Sequence, residues 1–327
     1  MHFFASKYLK TTYIFINYFC SKYALSANTK ILLTLRFYAC GNFLITVGDF
    51  CVVSISAASR AVKEVSTAIA SLSKAFIKFP QDTRNTVAKF YNIAKFPKVV
   101  GAIDCTHVRI QSPGGDDAEI YRNRKGFFSF NVQAVCDANL IFEDLVARWP
   151  GSSHDSNIFR HSRLSFRMES GEFKNLFLLG DSGYQVNEFM MTPLLNPTSE
   201  AEKLYNESQI RTRNCIERCF GVWKRRFPVL AMGIRLSIKT TMAVIVACAV
   251  LHNITTSAND PLPETDISLP LDNWNQENND VVTNKRNTRT VLIADYFGLY
   301  VYVYYKVKRK QTFYILISDY NVIKAVA

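Results

Sequence analysis

The stretch VVGAIDCTHVRI, residues 99–110, places one acidic residue inside an otherwise apolar run. Its β-branched and apolar residues predict a buried strand. Asp104 lies in the middle of this strand. A buried carboxylate costs several kcal/mol unless it is paired with a cation or bound to a metal. The stretch therefore predicts both a buried strand and a position that requires a positively charged partner.

Further strands and helices follow along the chain. Two strands are predicted at 129–136 and 140–148, joined into a hairpin by the turn Asp137-Ala138-Asn139. A fourth strand, 173–179, ends directly before Gly180 and Asp181. Helices are predicted at 205–226 and 240–253, with Met242–Leu251 as a core helix by its length. The mixture of strands and helices in one unit predicts an α/β fold.

The chain ahead of this unit has helical periodicity. A turn at Val47-Gly48-Asp49 and a helix over 54–62 would make a helix-turn-helix in which Ser59, Arg60 and Lys63 face DNA. A plain helical bundle is the alternative that this segment leaves open. We therefore divide the chain into a helical region, 1–95, a catalytic unit, 96–257, and a linker and tail, 258–327, the linker being rich in Asn, Asp and Pro.

Composition narrows the classes of function. The chain has 39 Lys and Arg against 27 Asp and Glu, a net charge of +12 that favours an anionic partner such as nucleic acid. With 48% hydrophobic residues it is not a wholly disordered protein. The eight cysteines form no C-x-x-C pair, which favours reduced thiols over a zinc site. No membrane span is expected, and the short apolar stretch 11–20 lacks a clean signal-peptide cleavage site.

Acidic residues stand at positions that favour a metal site. Asp181 ends an apolar strand, Glu217 lies on a basic helix, and Asp155 follows a Gly/Ser loop. Together with Asp104 they can form an oxygen-rich cluster, which Mg²⁺ prefers, and metals about 4 Å apart can activate water against a phosphodiester. Ordinary alternatives remain: Asp104 can pair with Arg109, Asp181 can serve a turn, and Glu217 can pair with the arginine four residues earlier.

Basic residues form two groups that could hold phosphates. One group surrounds Glu217 on its helix, and the other, with Tyr121, precedes the second strand. A solvated helix face is the alternative for the first group. The predicted DNA contacts are Arg60, Arg124, Lys125, Arg211, Arg213 and Arg218; Arg122, Lys224, Arg225 and Arg226 complete the two groups.

Seven blocks of sequence, in this order, resemble the harbinger (PIF/Harbinger) transposases and the nucleases derived from them. The resemblance covers the stretch from about Leu32 to Asn253, roughly two thirds of the chain. The blocks are Gly101–His107, Tyr121–Gly126, Asn131–Asp137, Trp149–Ser156, Leu179–Tyr184, Arg211–Arg218 and Val250–Ile254. Each block alone is weak, whereas seven in register are specific.

The resemblance implies a fold and a set of site residues. The fold would be an RNase H-like DDE catalytic domain, of class α/β, preceded by a smaller all-helical, helix-turn-helix-like domain. The catalytic triad would be Asp104, Asp181 and Glu217, and Asp155 would be an additional ligand. These four carboxylates would hold Mg²⁺ or Mn²⁺.

The resemblance also implies a function. It is that of a metal-dependent DNA endonuclease, a transposase-derived nuclease that hydrolyses phosphodiester bonds by a two-metal mechanism. A Myb-like DNA-binding protein would be its partner and the nucleus its location, with the cytoplasm and self-association left open. Lys306–Lys310 could serve as a nuclear signal, although a basic patch in a tail is commoner. The alternative is a domesticated factor that binds DNA or protein without cleaving.

Overall fold

A five-stranded mixed sheet forms the centre of the computed structural model, which describes residues 25–41, 43–260 and 288–302. The strand order is β3-β2-β1-β4-β5. Strands β1–β2 and β2–β3 are antiparallel, whereas β1–β4 and β4–β5 are parallel. The strands are β1 Val99–Arg109, β2 Ser129–Cys136, β3 Phe142–Pro150, β4 Phe177–Leu179 and β5 Met190–Met191. The predicted α/β fold is confirmed as a mixed α/β architecture.

Helices flank the sheet on both sides. Those before it are α1 Ala27–Cys40, α2 Leu44–Cys51, α3 Ile55–Ala70, α4 Ser73–Phe76 and α5 Arg84–Ala94. Those after it begin with α6 Asp155–Arg160, α7 Arg163–Glu169, α8 Glu200–Arg226, α9 Val229–Met232 and α10 Ile238–Ser257. The last is α11 Thr288–Leu292, which runs into a π-helical turn, Ile293–Phe297.

Two predicted elements differ in the structure. The fourth strand is only three residues long, because the chain over 171–175 forms a turn in which Asn175 has a φ of 62°. The turn predicted at Val47–Asp49 lies inside α2, and the chain bends instead at Val52, whose φ is 53°. Gly48 serves close packing, because a Cβ there would lie 2.8 Å from the Val53 carbonyl oxygen. Helices α2 and α3 are bent by 99° at this break.

The first helices share one hydrophobic core with the sheet. Leu33 of α1 and Val62 of α3 are fully buried in the same cluster as Val132 of β2 and Trp223 of α8. Helix α3 packs mainly on α10. Burial of this shared apolar surface is the dominant force that holds the helices to the sheet. A second, smaller cluster on the other face of the sheet is formed with α6 and α7.

Helix α10 is the predicted core helix. By length and composition it could cross a membrane, as could α2 and α3 taken as one bent pair. More than half of its apolar window is buried in the protein. Asn253 fixes it to β3, since its side chain accepts a hydrogen bond from the Phe142 N–H at 2.8 Å and donates one to the Phe142 carbonyl at 2.7 Å. These contacts are those of an interior helix.

Part of the segment predicted as linker and tail is a packed helix. The ring of Phe297 lies 5.6 Å from that of Phe96 and 5.5 Å from that of Tyr205. Tyr296 donates a hydrogen bond to the Lys95 carbonyl at 3.1 Å. These aromatic residues are buried, which explains why residues 288–302 fold onto α5 and α8. The apolar stretch 11–20 and the basic run 306–310 lie outside the described residues.

Candidate metal centre

Three aspartates converge at the edge where β1 and β4 lie side by side. One carboxylate oxygen from each of Asp104, Asp155 and Asp181 lies within 4.8 Å of the other two. Strands β1 and β4 are parallel, and Ala102 is the register partner of Leu179. An aspartate follows each member of this pair by two residues, so the register itself brings Asp104 beside Asp181. Asp155 reaches the same point from the first residue of α6.

Hydrogen bonds orient all three carboxylates. The Cys105 backbone N–H donates to Asp104 at 2.8 Å, and the Gly183 N–H donates to Asp181 at 3.0 Å. Asp181 therefore serves a turn, as one alternative held, and belongs to the cluster as well. The Asn131 side-chain amide donates to Asp155 at 2.8 Å and to the Ser153 carbonyl at 2.9 Å.

Asn131 is a site residue that the sequence analysis did not single out. It is buried on β2 and belongs to one of the seven blocks of the resemblance. The sequence signal that could have indicated Asn131 is a polar side chain inside a buried strand, because such a group must find a hydrogen-bond partner. The loop before Asp155 also packs closely on β2, since a Cβ at Gly151 would lie 2.3 Å from the Ser129 hydroxyl.

The electrostatics of the cluster suit a divalent cation. Burial, with the nearby Asp181, raises the pKa of Asp104 to about 8. Burial and the nearby Asp155 also raise the pKa of Asp181. A divalent cation offsets such repulsion between carboxylates. The donor set consists of carboxylate oxygens, the ligands of Mg²⁺ and Mn²⁺, so the residues present fit the predicted metal.

Glu217 is joined to the cluster through Arg213. The guanidinium donates to Asp104 at 2.9 Å and to Glu217 at 2.6 Å. The Arg213 side chain is 11% exposed and the Glu217 side chain 52%. Glu217 thus makes the alternative pair with Arg213, and within the described residues it does not belong to the three-aspartate group. Its role as the third catalytic carboxylate stays a prediction.

The cation that pairs with Asp104 is Arg213 and not Arg109. The Arg109 guanidinium lies over the Phe127 ring, 4.3 Å from its centroid. Arg213 belongs to α8, 109 residues further along the chain than Asp104. Only the packing of α8 against β1 creates this contact.

Replacing Arg213 by methionine is expected to destabilise the metal-free protein. At about pH 9, above the raised pKa of about 8, the Asp104 carboxylate is ionised and would be left buried without its cation, at a cost of about 3 kcal/mol. Chemical denaturation of the wild type and of Arg213→Met measures this cost. Arg211→Met is the matched control, because the Arg211 ion pair with Glu207 is exposed on the same helix. Equal losses in both variants would contradict the assigned role of Arg213.

The other predicted DNA contacts are spread over several surfaces. On α8 the side chains turn by about 100° per residue, so the basic group does not share one face. Lys224 donates to the His107 carbonyl at 3.0 Å, whereas Arg226 donates to Thr255 and to the Asp260 carbonyl. The predicted contacts that are exposed are Arg60, Arg124, Lys125, Arg211 and Arg218. Arg213, also predicted as a DNA contact, instead donates a hydrogen bond to Asp104 of the aspartate cluster.

Comparison with known proteins identifies the family. Residues 103–253 match the family described as DDE superfamily endonuclease. The chain is 37% identical over 237 residues to HARBI1 of Homo sapiens, whose name designates a nuclease, covering 71% of this chain and 68% of that protein. It is 34% identical over 255 residues to HARBI1 of Mus musculus, covering 76% and 73%.

A plant relative is more distant. The chain is 23% identical over 252 residues to the protein ALP1-like of Arabidopsis thaliana, covering 72% of this chain and 62% of that protein. No solved structure matches the chain. The three aspartates all lie within the matched range 103–253. The chain therefore belongs to the family of harbinger transposase-derived nucleases and carries the DDE superfamily endonuclease domain of that family.

Proposed function

We propose that this protein is a metal-dependent DNA endonuclease that hydrolyses phosphodiester bonds. The observation that carries the proposal is the convergence of Asp104, Asp155 and Asp181 within 4.8 Å. Membership in a nuclease family supports it, because the cluster lies inside the matched endonuclease domain. The excess of twelve positive charges favours a polyanionic substrate.

Several residues of the chain have distinct roles in the proposed reaction. Asp104, Asp155 and Asp181 would hold Mg²⁺ or Mn²⁺, with Glu217 as the fourth carboxylate of a two-metal arrangement. A divalent cation, when bound, supplies charge stabilisation to the phosphodiester and lowers the pKa of water. Asn131 and the Gly183 N–H fix the ligand carboxylates, so little reorganisation is needed when a cation binds.

Arg213 has a separate task in this proposal. Its guanidinium ties Glu217 to Asp104 and compensates part of the negative charge of the cluster. Exchange of this ion pair for a cation would release the Glu217 side chain, which is half exposed, toward the metal site. A DNA phosphate could then take the place of a carboxylate on the guanidinium.

The cellular setting is part of the same proposal. DNA is the proposed substrate, a Myb-like DNA-binding protein the partner, and the nucleus the location. The support is the resemblance over seven blocks and the net charge of +12. A truncated chain that lacks residues 303–327, compared with the full chain by fluorescence microscopy, tests whether the basic run 306–310 contributes to nuclear import.

A plasmid-nicking assay tests the enzymatic proposal. Purified full-length chain is incubated with supercoiled DNA and Mg²⁺ or Mn²⁺, with EDTA as the control, and with and without the Myb-like partner. We expect conversion to open circles that requires the cation. Binding of the cation is checked separately by a shift in melting temperature. A chain that binds the cation but cuts nothing, even with the partner present, would refute the proposal.

A non-cleaving DNA- or protein-binding factor is the second candidate. The observation that favours it is that Glu217 pairs with Arg213 and, within the described residues, does not belong to the three-aspartate group. In that case the chain would bind DNA with the same affinity in Mg²⁺ and in EDTA, and no nicked product would appear.

A further inference from the structure

An arginine that contacts a histidine stands beside the metal cluster. The Arg124 guanidinium nitrogen Nη2 lies 2.7 Å from His154 Nδ1 and 3.3 Å from His154 Nε2. His154 directly precedes Asp155 and is the N-cap residue of α6. The Ser152 N–H also donates to the Ile120 carbonyl at 3.1 Å, which joins this segment to the loop that carries Arg124. Arg124 is thereby held next to a metal-ligand position.

The loop that carries Arg124 is fixed by its own hydrogen bonds. Asn123 is buried, and its side-chain oxygen accepts from the Lys125 N–H at 3.0 Å and the Phe127 N–H at 3.3 Å. Its amide nitrogen donates to the Ser129 hydroxyl on β2 at 3.2 Å. The Gly126 N–H closes the turn on the Asn123 carbonyl at 2.9 Å. The backbone at Arg124 is therefore anchored to the sheet, and only the side chain reaches out.

The charge of Arg124 is not neutralised by its partner. A guanidinium can only donate hydrogen bonds, so the His154 ring nitrogen is the acceptor, and an imidazole carries no negative charge that could neutralise a guanidinium. Three other exposed arginines in the described residues pair with acids: Arg84 with Asp82, Arg122 with Glu119 and Arg211 with Glu207. No ion pair within the described part of the chain includes Arg124.

Arg124 is not the residue that compensates the negative charge of the three aspartates. The cation that lowers the pKa values of Asp104 and Asp181 is Arg213, which contacts Asp104 directly. Arg124 instead donates to an imidazole and keeps further N–H groups for an external acceptor. Exposed, oriented and uncompensated, it has the properties of a phosphate-binding arginine.

We propose that Arg124, oriented by His154, binds a backbone phosphate of the DNA strand that enters the site from the Asp155 side. This inference rests on the proposed nuclease function and names a subsite of it. Phosphate contacts fix the position of a strand without selecting its sequence. Arg124 is a binding residue in this arrangement and His154 a positioning residue, which acts by limiting the rotamers of the guanidinium.

Binding is measured separately from cleavage. Full-length Asp181→Asn, a background in which cutting is blocked, is titrated with a fluorescent duplex of about three helical turns by anisotropy at several salt concentrations. Arg124→Ala is expected to bind about tenfold more weakly, with a slope of log K against log salt that is shallower by about one. Arg124→Lys should restore the slope, because the charge is kept. Arg84→Ala is the control, since the Arg84 guanidinium already pairs with Asp82.

A double-mutant cycle tests the role of His154. His154→Ala should weaken binding less than Arg124→Ala, and it should add nothing when Arg124 is already alanine. Additive losses would overturn the positioning role. Equal affinities and equal salt slopes for Arg124→Ala and Arg84→Ala would overturn the subsite. The outcomes for cleavage and for the subsite can be told apart. If the wild type does not nick DNA but the binding changes appear, the proposed cleavage is wrong and the phosphate subsite stands. If the wild type nicks DNA but the binding changes do not appear, only the subsite is wrong.

Discussion

Asp181→Asn is expected to slow metal-dependent nicking about a thousandfold. A bound cation supplies several kcal/mol of transition-state stabilisation, and each factor of ten in rate corresponds to about 1.4 kcal/mol. Loss of one of three converging carboxylates removes the charge that holds the cation in place. The rate is followed as the appearance of open-circular plasmid under single-turnover conditions in Mn²⁺.

The same substitution should leave the fold intact. The asparagine oxygen can still accept the Gly183 N–H bond that Asp181 accepts now. Because burial and Asp155 raise the pKa of Asp181, removal of its charge should not lower the stability of the metal-free protein. Addition of Mn²⁺ should raise the melting temperature of the wild type more than that of the variant.

Two comparisons make the result specific. Asp116→Asn, at an exposed position outside the three-aspartate cluster, should nick at the wild-type rate. Glu217→Gln tests the predicted fourth carboxylate, and we expect it also to lose activity. Nicking by Asp181→Asn within tenfold of the wild type would remove Asp181 from the catalytic site.

Glu143→Gln is expected to stabilise the protein strongly at alkaline pH. Glu143 is 4% exposed on β3, and its Oε2 atom has no hydrogen-bond partner within the described residues. Burial, and after it the nearby Asp137 and Cys215, raises the pKa of Glu143 to about 9. An unfolded chain ionises the same group near pH 4.3, which is about its reference pKa.

The sign of the effect follows from the difference in bound protons. Between about pH 4.3 and pH 9 the folded state keeps a proton that the unfolded state has lost, so the wild-type stability falls as the pH rises. Below this window both states are protonated and the glutamine variant gains nothing. At pH 8 the variant should be more stable by about 5 kcal/mol, since each pH unit above the unfolded pKa is worth about 1.4 kcal/mol.

Urea denaturation at pH 5, 6.5 and 8 measures this difference. The gain of Glu143→Gln over the wild type should increase with pH. Glu172→Gln is the control, and its effect on stability should have the opposite sign. Hydrogen bonds from Arg167 lower the pKa of Glu172, which lies at the surface. Its carboxylate contributes stability that is present above its unfolded pKa and lost as the pH falls. A gain of Glu143→Gln that stays constant from pH 5 to pH 8 would contradict a buried, protonated Glu143.

Much of the catalytic unit could be predicted from local sequence. Strand β2 has the predicted bounds, Ser129–Cys136, because polar Ser129, Asn131 and Gln133 alternate with apolar residues, the period of two that is typical of a strand. Asp104 stood out as an acid inside an otherwise apolar run. The fourth strand was predicted too long, because the chain over 171–175 forms a turn in which Asn175 adopts a positive φ.

The order of residues along the chain determined the candidate carboxylates, and the sheet register decided which of them meet. Asp104 and Asp181 lie beside each other because β1 and β4 pair in parallel through Ala102 and Leu179. This pairing brings together two aspartates that are 77 residues apart in the sequence. No local pattern encodes such a contact. The sequence likewise contained Arg124 and His154, but their contact depends on two loops packed on β2.

The α/β class, the family and the candidate acidic residues could therefore be predicted from residue types and their spacing. The pairing of Arg213 with both Asp104 and Glu217, and the different neighbours of the basic residues of α8, became visible only in the folded chain. The same holds for the core that the first helices share with the sheet. The physical reason is that charge pairing and burial depend on distances in space, which are set only when distant segments pack together.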